Sequence, residues 1–131
     1  MSITHFIHSN IDARFNIDDE LPFPITIKHF DKHEIVTSYQ QREQYAYFLV
    51  RGIVKISMMR HEEEERILEF FFPNSFFSCY TSFLTQKPSD AQIETLTECE
   101  VEVIKYSDMQ KAYQSSLLAN KLGRIVAEFY Y

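Results

Sequence analysis

The chain has 131 residues, enough for one domain with its own core but short for two. Hydrophobic residues make up 45% and charged residues 24%, which excludes extensive disorder because such a chain can bury enough apolar surface to fold. Thirteen basic residues against nineteen acidic ones leave a net charge of −6, which argues against a general phosphate-backbone binder.

The cysteines and the N-terminus point to a reduced compartment. The two cysteines, Cys79 and Cys99, cannot supply a disulfide framework or a four-ligand metal set. The first fifteen residues lack the basic and apolar regions of a secretion signal, and no apolar run is long enough to span a membrane. We therefore expect a cytoplasmic protein with no membrane partner.

The first 106 residues divide into a polar segment and a β-like region. Residues 1–24 are mostly polar, and the pattern assigns them no helix or strand. Tyr45 to Val50 and Ile53 to Met58 flank Arg51-Gly52, which predicts a hairpin with a tight turn at Gly52. The run 62–65, four glutamates, is predicted as the exposed tip of a second hairpin. Further strands are predicted at residues 25–30, 66–72, 91–97 and 99–106, which together indicate an antiparallel sandwich or barrel.

The last 25 residues change to a helical period. Ser107-Asp108 predicts the cap of a short helix, and Ser115-Ser116 predicts the cap of a longer one. Gly123 disfavours an exposed helix interior, so it predicts a close approach of another helix. The apolar face of the longer helix is carried by Leu118, Leu122, Ile125 and Phe129.

A β-roll followed by a short helix and a long apolar helix resembles the cyclic-nucleotide-binding domain of CRP/FNR-type bacterial regulators. Residues 32–36, 47–56, 73–77 and 99–101 carry the likeness, and the stretch YFLVRGIVKI at 47–56 is its most specific piece. The resemblance implies a mainly β fold: an antiparallel β-roll (double-stranded β-helix or jelly roll) with C-terminal helices. It divides the chain into an N-terminal segment 1–24, a roll 25–106 and dimerisation helices 107–131.

In the resembled family a phosphate-binding cassette pairs the ribose with a Glu and the cyclic phosphate with an Arg. The family's Gly, Glu and Arg positions are here Ser78, Cys79 and Ser89, so each side chain that pairs with the nucleotide is replaced. A buried phosphate without a paired cation is costly, and Lys87 is the only cation between Phe76 and Thr95. We expect a degenerate site that does not bind cyclic AMP and holds no cofactor. Either its aromatic side chains fill it, or it takes an unknown apolar or aromatic ligand. The cassette covers Phe76, Phe77, Ser78, Cys79, Tyr80, Ser89, Asp90 and Ala91.

The same resemblance implies a homodimer through the long helix, with Leu118, Leu122, Ile125 and Phe129 as the seam. We therefore predict the ligand-sensing and dimerisation domain of a CRP/FNR-like transcription regulator. Residues 107–131 carry a charge of about +1, too little to hold DNA, so DNA contact would need a domain outside this chain. The alternative is a stand-alone β-roll that binds a protein or a small ligand.

Enzymatic and metal chemistry have little support in the sequence. His29 and His33 are four residues apart, but in a strand-turn-strand segment they need not share a face. A cupin-like enzyme would need a His-x-His pair, which the chain lacks. We predict neither catalysis nor a metal site. A redox role for Cys79 would require a helix N-terminus or a cation that lowers its pKa, whereas Cys99 is predicted as a small core residue.

Overall fold

The structure, a computed structural model, describes residues 2–59 and 64–130, with the side chains of Phe129 and Tyr130 outside that description. Within these residues, eight strands form two four-stranded antiparallel sheets that are flanked by four helices. The strands are β1 (Thr26–Phe30), β2 (Ile35–Thr37), β3 (Tyr45–Arg51), β4 (Val54–Met59), β5 (Glu65–Phe71), β6 (Phe76–Phe77), β7 (Ala91–Thr95) and β8 (Cys99–Lys105). The helices are α1 (Ile3–Asn10), α2 (Tyr80–Thr85), α3 (Tyr106–Ser115) and α4 (Leu117–Tyr130).

The two sheets face each other across an apolar core. Sheet A has the strand order β1-β8-β3-β6, and sheet B has the order β2-β7-β4-β5. Leu49 and Val101 of sheet A pack in one cluster with Val54 and Ile93 of sheet B, and all four are fully buried. The predicted β-roll with C-terminal helices is confirmed. The alternation pattern located six of the strands to within two residues and missed the short strands β2 and β6.

Gly52 does not turn a hairpin, so this prediction is wrong. β3 belongs to sheet A and β4 to sheet B, and the chain crosses between the sheets at Gly52. Gly52 has a φ of +110°, and a Cβ there would lie 2.6 Å from the carbonyl oxygen of Glu98. The position therefore requires glycine for both its backbone conformation and its close approach to β8. A local sequence pattern predicts a turn, but it does not predict which strands the two flanking strands pair with.

The N-terminal segment contains a helix that the sequence analysis did not assign. Ile3 and Ile7 of α1 are fully buried in a second core cluster, on the outer face of sheet A. The backbone N–H of Ile3 donates to Glu102 Oε1 on β8 over 2.7 Å. Burial raises the pKa of Glu102, and the hydrogen bond from Ile3 partly offsets that rise. α1 is therefore held on the roll by apolar packing and by a buried carboxylate at its first turn.

The two C-terminal helices pack on the same outer cluster. α4 begins after Ser116, whose Oγ accepts from the Ala119 N–H over 3.0 Å, so the second predicted cap is confirmed. The first is wrong, because α3 begins directly at Tyr106 after an extended Lys105. The close approach predicted at Gly123 is present within the chain, where a Cβ would lie 2.5 Å from Tyr113 Oη of α3.

Among residues 2–59 and 64–130, no helix has both the length and the apolar character needed to cross a bilayer. Of the predicted acidic tip at 62–65, Glu62 and Glu63 lie outside the described residues. Its last member, Glu65, begins β5 and pairs with Lys55 Nζ of β4 at 2.7 Å.

Candidate ligand cleft

A cleft of about 300 Å³ opens between sheet B and the segments around α2 and the start of β7. Six of the eight cassette residues predicted from the sequence line it: Ser78, Cys79, Tyr80, Ser89, Asp90 and Ala91. The rest of the lining is Ile56, Met58, Leu68, Glu69, Phe71, Thr81 and Ser82. The fold thus brings residues from β4, β5, α2 and β7 to one place.

The remaining two predicted cassette residues are core residues. Phe77 stacks on Tyr47 with ring centroids 4.9 Å apart, and Phe76 packs edge-to-face on Phe48 at 5.0 Å. Neither lines the cleft. Phe83 of α2 is buried and packs on Tyr106 at 5.4 Å. Phe76 and Phe77 therefore pack into the two cores and do not fill the cleft, whereas Tyr80 of α2 lines it.

Glu43 is a buried carboxylate beside the cassette that the sequence analysis missed. It is 1% exposed, and its carboxylate accepts from Thr37 Oγ1 at 2.8 Å, from the Tyr45 N–H at 3.2 Å and from the Cys79 N–H at 3.3 Å. Burial raises the pKa of Glu43, and these three hydrogen bonds counter the rise. Glu43 lies in the polar run 39–44, 36 residues before Cys79, so no local pattern marks it as buried.

The serines of the cleft are bonded to the chain's own backbone. Ser89, at the family's Arg position, is 3% exposed; its Oγ donates to the Ala91 carbonyl at 2.9 Å and accepts from the Ala91 N–H at 3.0 Å. Ser82 Oγ accepts from the Glu43 N–H at 2.9 Å and donates to the Lys87 carbonyl. Ser78 Oγ donates to the Tyr45 carbonyl at 2.8 Å. Each of the three serine hydroxyls is therefore hydrogen-bonded within the protein.

Cys79 is a buried thiol at the start of α2. Burial raises its pKa to about 12, and the neighbouring carboxylates of Glu43 and Asp90 add to the rise. At neutral pH the thiol is therefore protonated, the opposite of what the redox-sensor hypothesis requires. Cys99, 2% exposed, lies in the apolar core between the sheets.

The histidines do not converge. His29 Nδ1 lies 3.8 Å from Glu100, whereas His33 Nδ1 lies 3.7 Å from Glu94 on the other sheet. In the part of the chain that the structure describes, no three His, Cys, Asp or Glu side chains come together as a metal site would need.

The four predicted dimer residues differ in their exposure. Leu122 is 2% exposed and packs in the core with Phe48 and Ile3, so it is not available to a partner. Leu118 and Ile125 are half-buried against the same cluster and keep part of their surface free. The side chain of Phe129 lies outside the described residues.

Two four-stranded antiparallel sheets, a cleft beside sheet B and helices packed after the last strand define a β-roll domain with C-terminal helices. The family model of the cyclic nucleotide-binding domain matches residues 27–116. The chain therefore belongs to the cyclic nucleotide-binding domain family. No curated protein matches its sequence significantly.

Solved structures with this fold include bacterial regulators of the CRP/FNR type. The catabolite activator protein of Thermus thermophilus is 17% identical, with a TM-score of 0.69 over 79% of this chain and 49% of that one. The c-di-GMP responsive global regulator CLP of Xanthomonas campestris is 21% identical, with a TM-score of 0.67 over 79% and 49%. FixK2 of Bradyrhizobium japonicum is 23% identical, with a TM-score of 0.66 over 80% and 52%. The chain spans about half the length of each.

Proposed function

We propose that this chain is the sensing and dimerisation domain of a cytoplasmic CRP/FNR-like transcription regulator whose cassette does not bind cyclic AMP. One observation carries the second half of this proposal. Among residues 2–59 and 64–130, the side chains that line the cleft include two carboxylates, Glu69 and Asp90, and no lysine, arginine or histidine. The family match and the fold support the first half.

Charge argues against a cyclic nucleotide in this cleft. A phosphate that leaves water needs a cation or several N–H donors, because an unpaired buried charge costs several kcal/mol or more. Ser89 at the family's Arg position is neutral and bonded to Ala91. The N–H of Cys79 donates to Glu43, so it cannot also meet a ligand. The two carboxylates in the lining would add repulsion.

A thermal-shift experiment tests this part of the proposal. A ligand present at about 100 times its Kd raises the free energy of unfolding by about 2.7 kcal/mol, which for a domain of this size moves Tm by several degrees. We expect cyclic AMP and cyclic GMP at millimolar concentration to leave Tm unchanged. A clear rise in Tm with either nucleotide would refute it.

The C-terminal helix supports a role in dimerisation. Leu118 and Ile125 lie seven residues apart, on one face of α4, and both are half-buried. Leu117, at the first position of the same helix, is 72% exposed. This apolar surface is what a second copy of the helix would cover.

A pair of glutamate substitutions tests the dimer. Ile125→Glu places a charge on the proposed seam without replacing a fully buried side chain. Ile27→Glu, on β1 at a position 61% exposed, is the matched control. By size-exclusion chromatography with light scattering, we expect a dimer for the wild type and for Ile27→Glu, and a monomer for Ile125→Glu. Circular dichroism checks that the variants are folded; a folded Ile125→Glu dimer would place the interface elsewhere.

DNA contact is not proposed for this part of the chain. Residues 107–131 carry three basic residues, Lys111, Lys121 and Arg124, against Asp108 and Glu128, a charge of +1. The chain spans about half of each regulator it resembles. We propose that it supplies sensing and pairing, and that a separate domain would read DNA.

A further inference from the structure

Building on the proposed function, we propose that the cleft binds an uncharged, largely apolar molecule about the size of a bicyclic aromatic ring. The site is the cleft between sheet B and the cassette, and its ligand differs in charge from the cyclic phosphates that the family name describes. Three features of the cleft support this: its apolar walls, the hydrogen bonds that its polar groups already make within the protein, and its charges.

The walls are apolar and still accessible. Ile56 and Met58 of β4, with Leu68 and Phe71 of the neighbouring β5, line the wall that sheet B forms. Leu68 remains 47% exposed at the mouth, whereas Phe71 on the floor is 4% exposed. A volume of about 300 Å³ lies at the lower end of the range of small-molecule pockets. A ligand seated there would cover Leu68, so burial of apolar surface would drive binding.

The polar groups of the floor are already committed to the protein. Ser89 Oγ exchanges hydrogen bonds with the Ala91 backbone, and Ser82 Oγ bridges Glu43 and Lys87. The N–H of Cys79 donates to Glu43. A ligand with a strong acceptor would have to break these contacts, whereas an apolar ligand leaves them in place.

The charges of the cleft select against anions. Glu69 and Asp90 are exposed carboxylates, and neither has a salt bridge among the described residues. Arg66 lies opposite Met58 in the β4–β5 ladder, but it is exposed and does not line the cleft. Among the described residues that line the cleft, an anion would meet like charge and no cation, whereas an uncharged molecule would meet no repulsion.

A pair of probes that differ only in charge tests this inference. Indole and indole-3-carboxylate are titrated into ¹⁵N-labelled protein, and the amide shifts of Cys79, Asp90 and Ala91 are followed. We expect indole to shift these amides in a saturable way and indole-3-carboxylate to bind at least about tenfold more weakly. Equal binding of the two probes, or no shift with indole up to several millimolar, would overturn the inference.

Three substitutions locate the site and its charge selectivity. Ala91→Phe fills the cleft and should abolish the shifts caused by indole. Glu69→Lys replaces a lining carboxylate with a cation and should bring indole-3-carboxylate to at least the affinity of indole. Glu98→Lys makes the same change in charge at an exposed position that does not line the cleft, and it should behave as the wild type. If both lysine variants bind indole-3-carboxylate more tightly than the wild type does, the effect of the charge is non-specific, which would contradict the proposed site.

The same titration with cyclic AMP separates the two proposals. Saturable binding of cyclic AMP at these amides would refute the proposed function and, with it, the inference. If neither cyclic AMP nor indole binds, the inference is refuted and the proposed function is not.

Discussion

The backbone N–H of Cys79 donates to Glu43 Oε2 over 3.3 Å, which places a carboxylate of the protein itself at the start of α2. Helix N-termini attract anions because their first N–H groups have no partner within the helix. Here an internal anion accepts from one of these groups, the Cys79 N–H. This donor is therefore occupied before any ligand arrives.

Replacing Glu43 with glutamine should destabilise the domain. The carboxylate receives three donors, from Thr37, Tyr45 and Cys79, and a glutamine offers one oxygen and one NH₂ group in its place. At least one buried donor is left without an acceptor, so we expect Glu43→Gln to lower the free energy of unfolding by about 1–3 kcal/mol. Glu98→Gln, at an exposed position, should change it by no more than about 0.5 kcal/mol. Urea unfolding measures both; equal stability of the two variants would refute the role given to Glu43.

The buried carboxylate of Glu102 predicts a specific pH dependence. Burial raises its pKa in the folded state above the ordinary value of 4.5 for a glutamate, so its ionisation is disfavoured by folding. Its contribution to stability is therefore greatest below about pH 4.5 and is lost as pH rises through the raised pKa. Glu102→Gln keeps an acceptor for the Ile3 N–H and removes the titration. The free energy of unfolding of the variant, minus that of the wild type, should be larger at pH 7 than at pH 4. A difference that does not change with pH contradicts this assignment.

The sequence predicted the roll well because alternation reports burial directly. β3, β4 and β8 each send alternate side chains into the core between the sheets, which is the pattern visible in the sequence. β3 and β8 also bury residues on their other face, where the helices pack, so their burial runs over consecutive residues. The pairing at Gly52 was predicted wrongly because partner choice depends on the whole topology. α1 was missed because it has only 8 residues and is held by contacts with β8, 99 residues away.

The cleft was predicted in outline and not in detail. The resemblance located Ser78, Cys79 and Ser89, and all three line the cleft. It could not show that Phe76 and Phe77 pack into the two cores, since both are apolar and either environment would suit them. Glu43 left no signal because a buried carboxylate and a solvated one look the same in sequence.

Tyr113 and Gly123 should be energetically coupled. A Cβ at position 123 would lie 2.5 Å from Tyr113 Oη, so Gly123→Ala must displace a half-buried ring. In the wild type we expect Gly123→Ala to destabilise the domain by about 1 kcal/mol or more, despite the better helix propensity of alanine. In a Tyr113→Ala background the same change should be stabilising by up to about 1 kcal/mol, because only the propensity remains. A double-mutant cycle in urea measures the coupling, and additive effects would show that the ring yields freely.

Both thiols should be inert in the folded protein. Cys79 is 4% exposed with its pKa raised to about 12, and Cys99 is 2% exposed with its pKa also raised by burial. At pH 8 a thiol-specific disulfide reagent should label neither within the time in which it labels both in urea. Rapid labelling of Cys79 in the native state would restore the redox hypothesis.

We propose that this roll does not bind a cyclic phosphate. Isothermal titration of the purified domain with cyclic AMP tests it most directly. We expect no saturable heat up to millimolar nucleotide in the wild type. A one-to-one isotherm with a micromolar Kd would contradict the account.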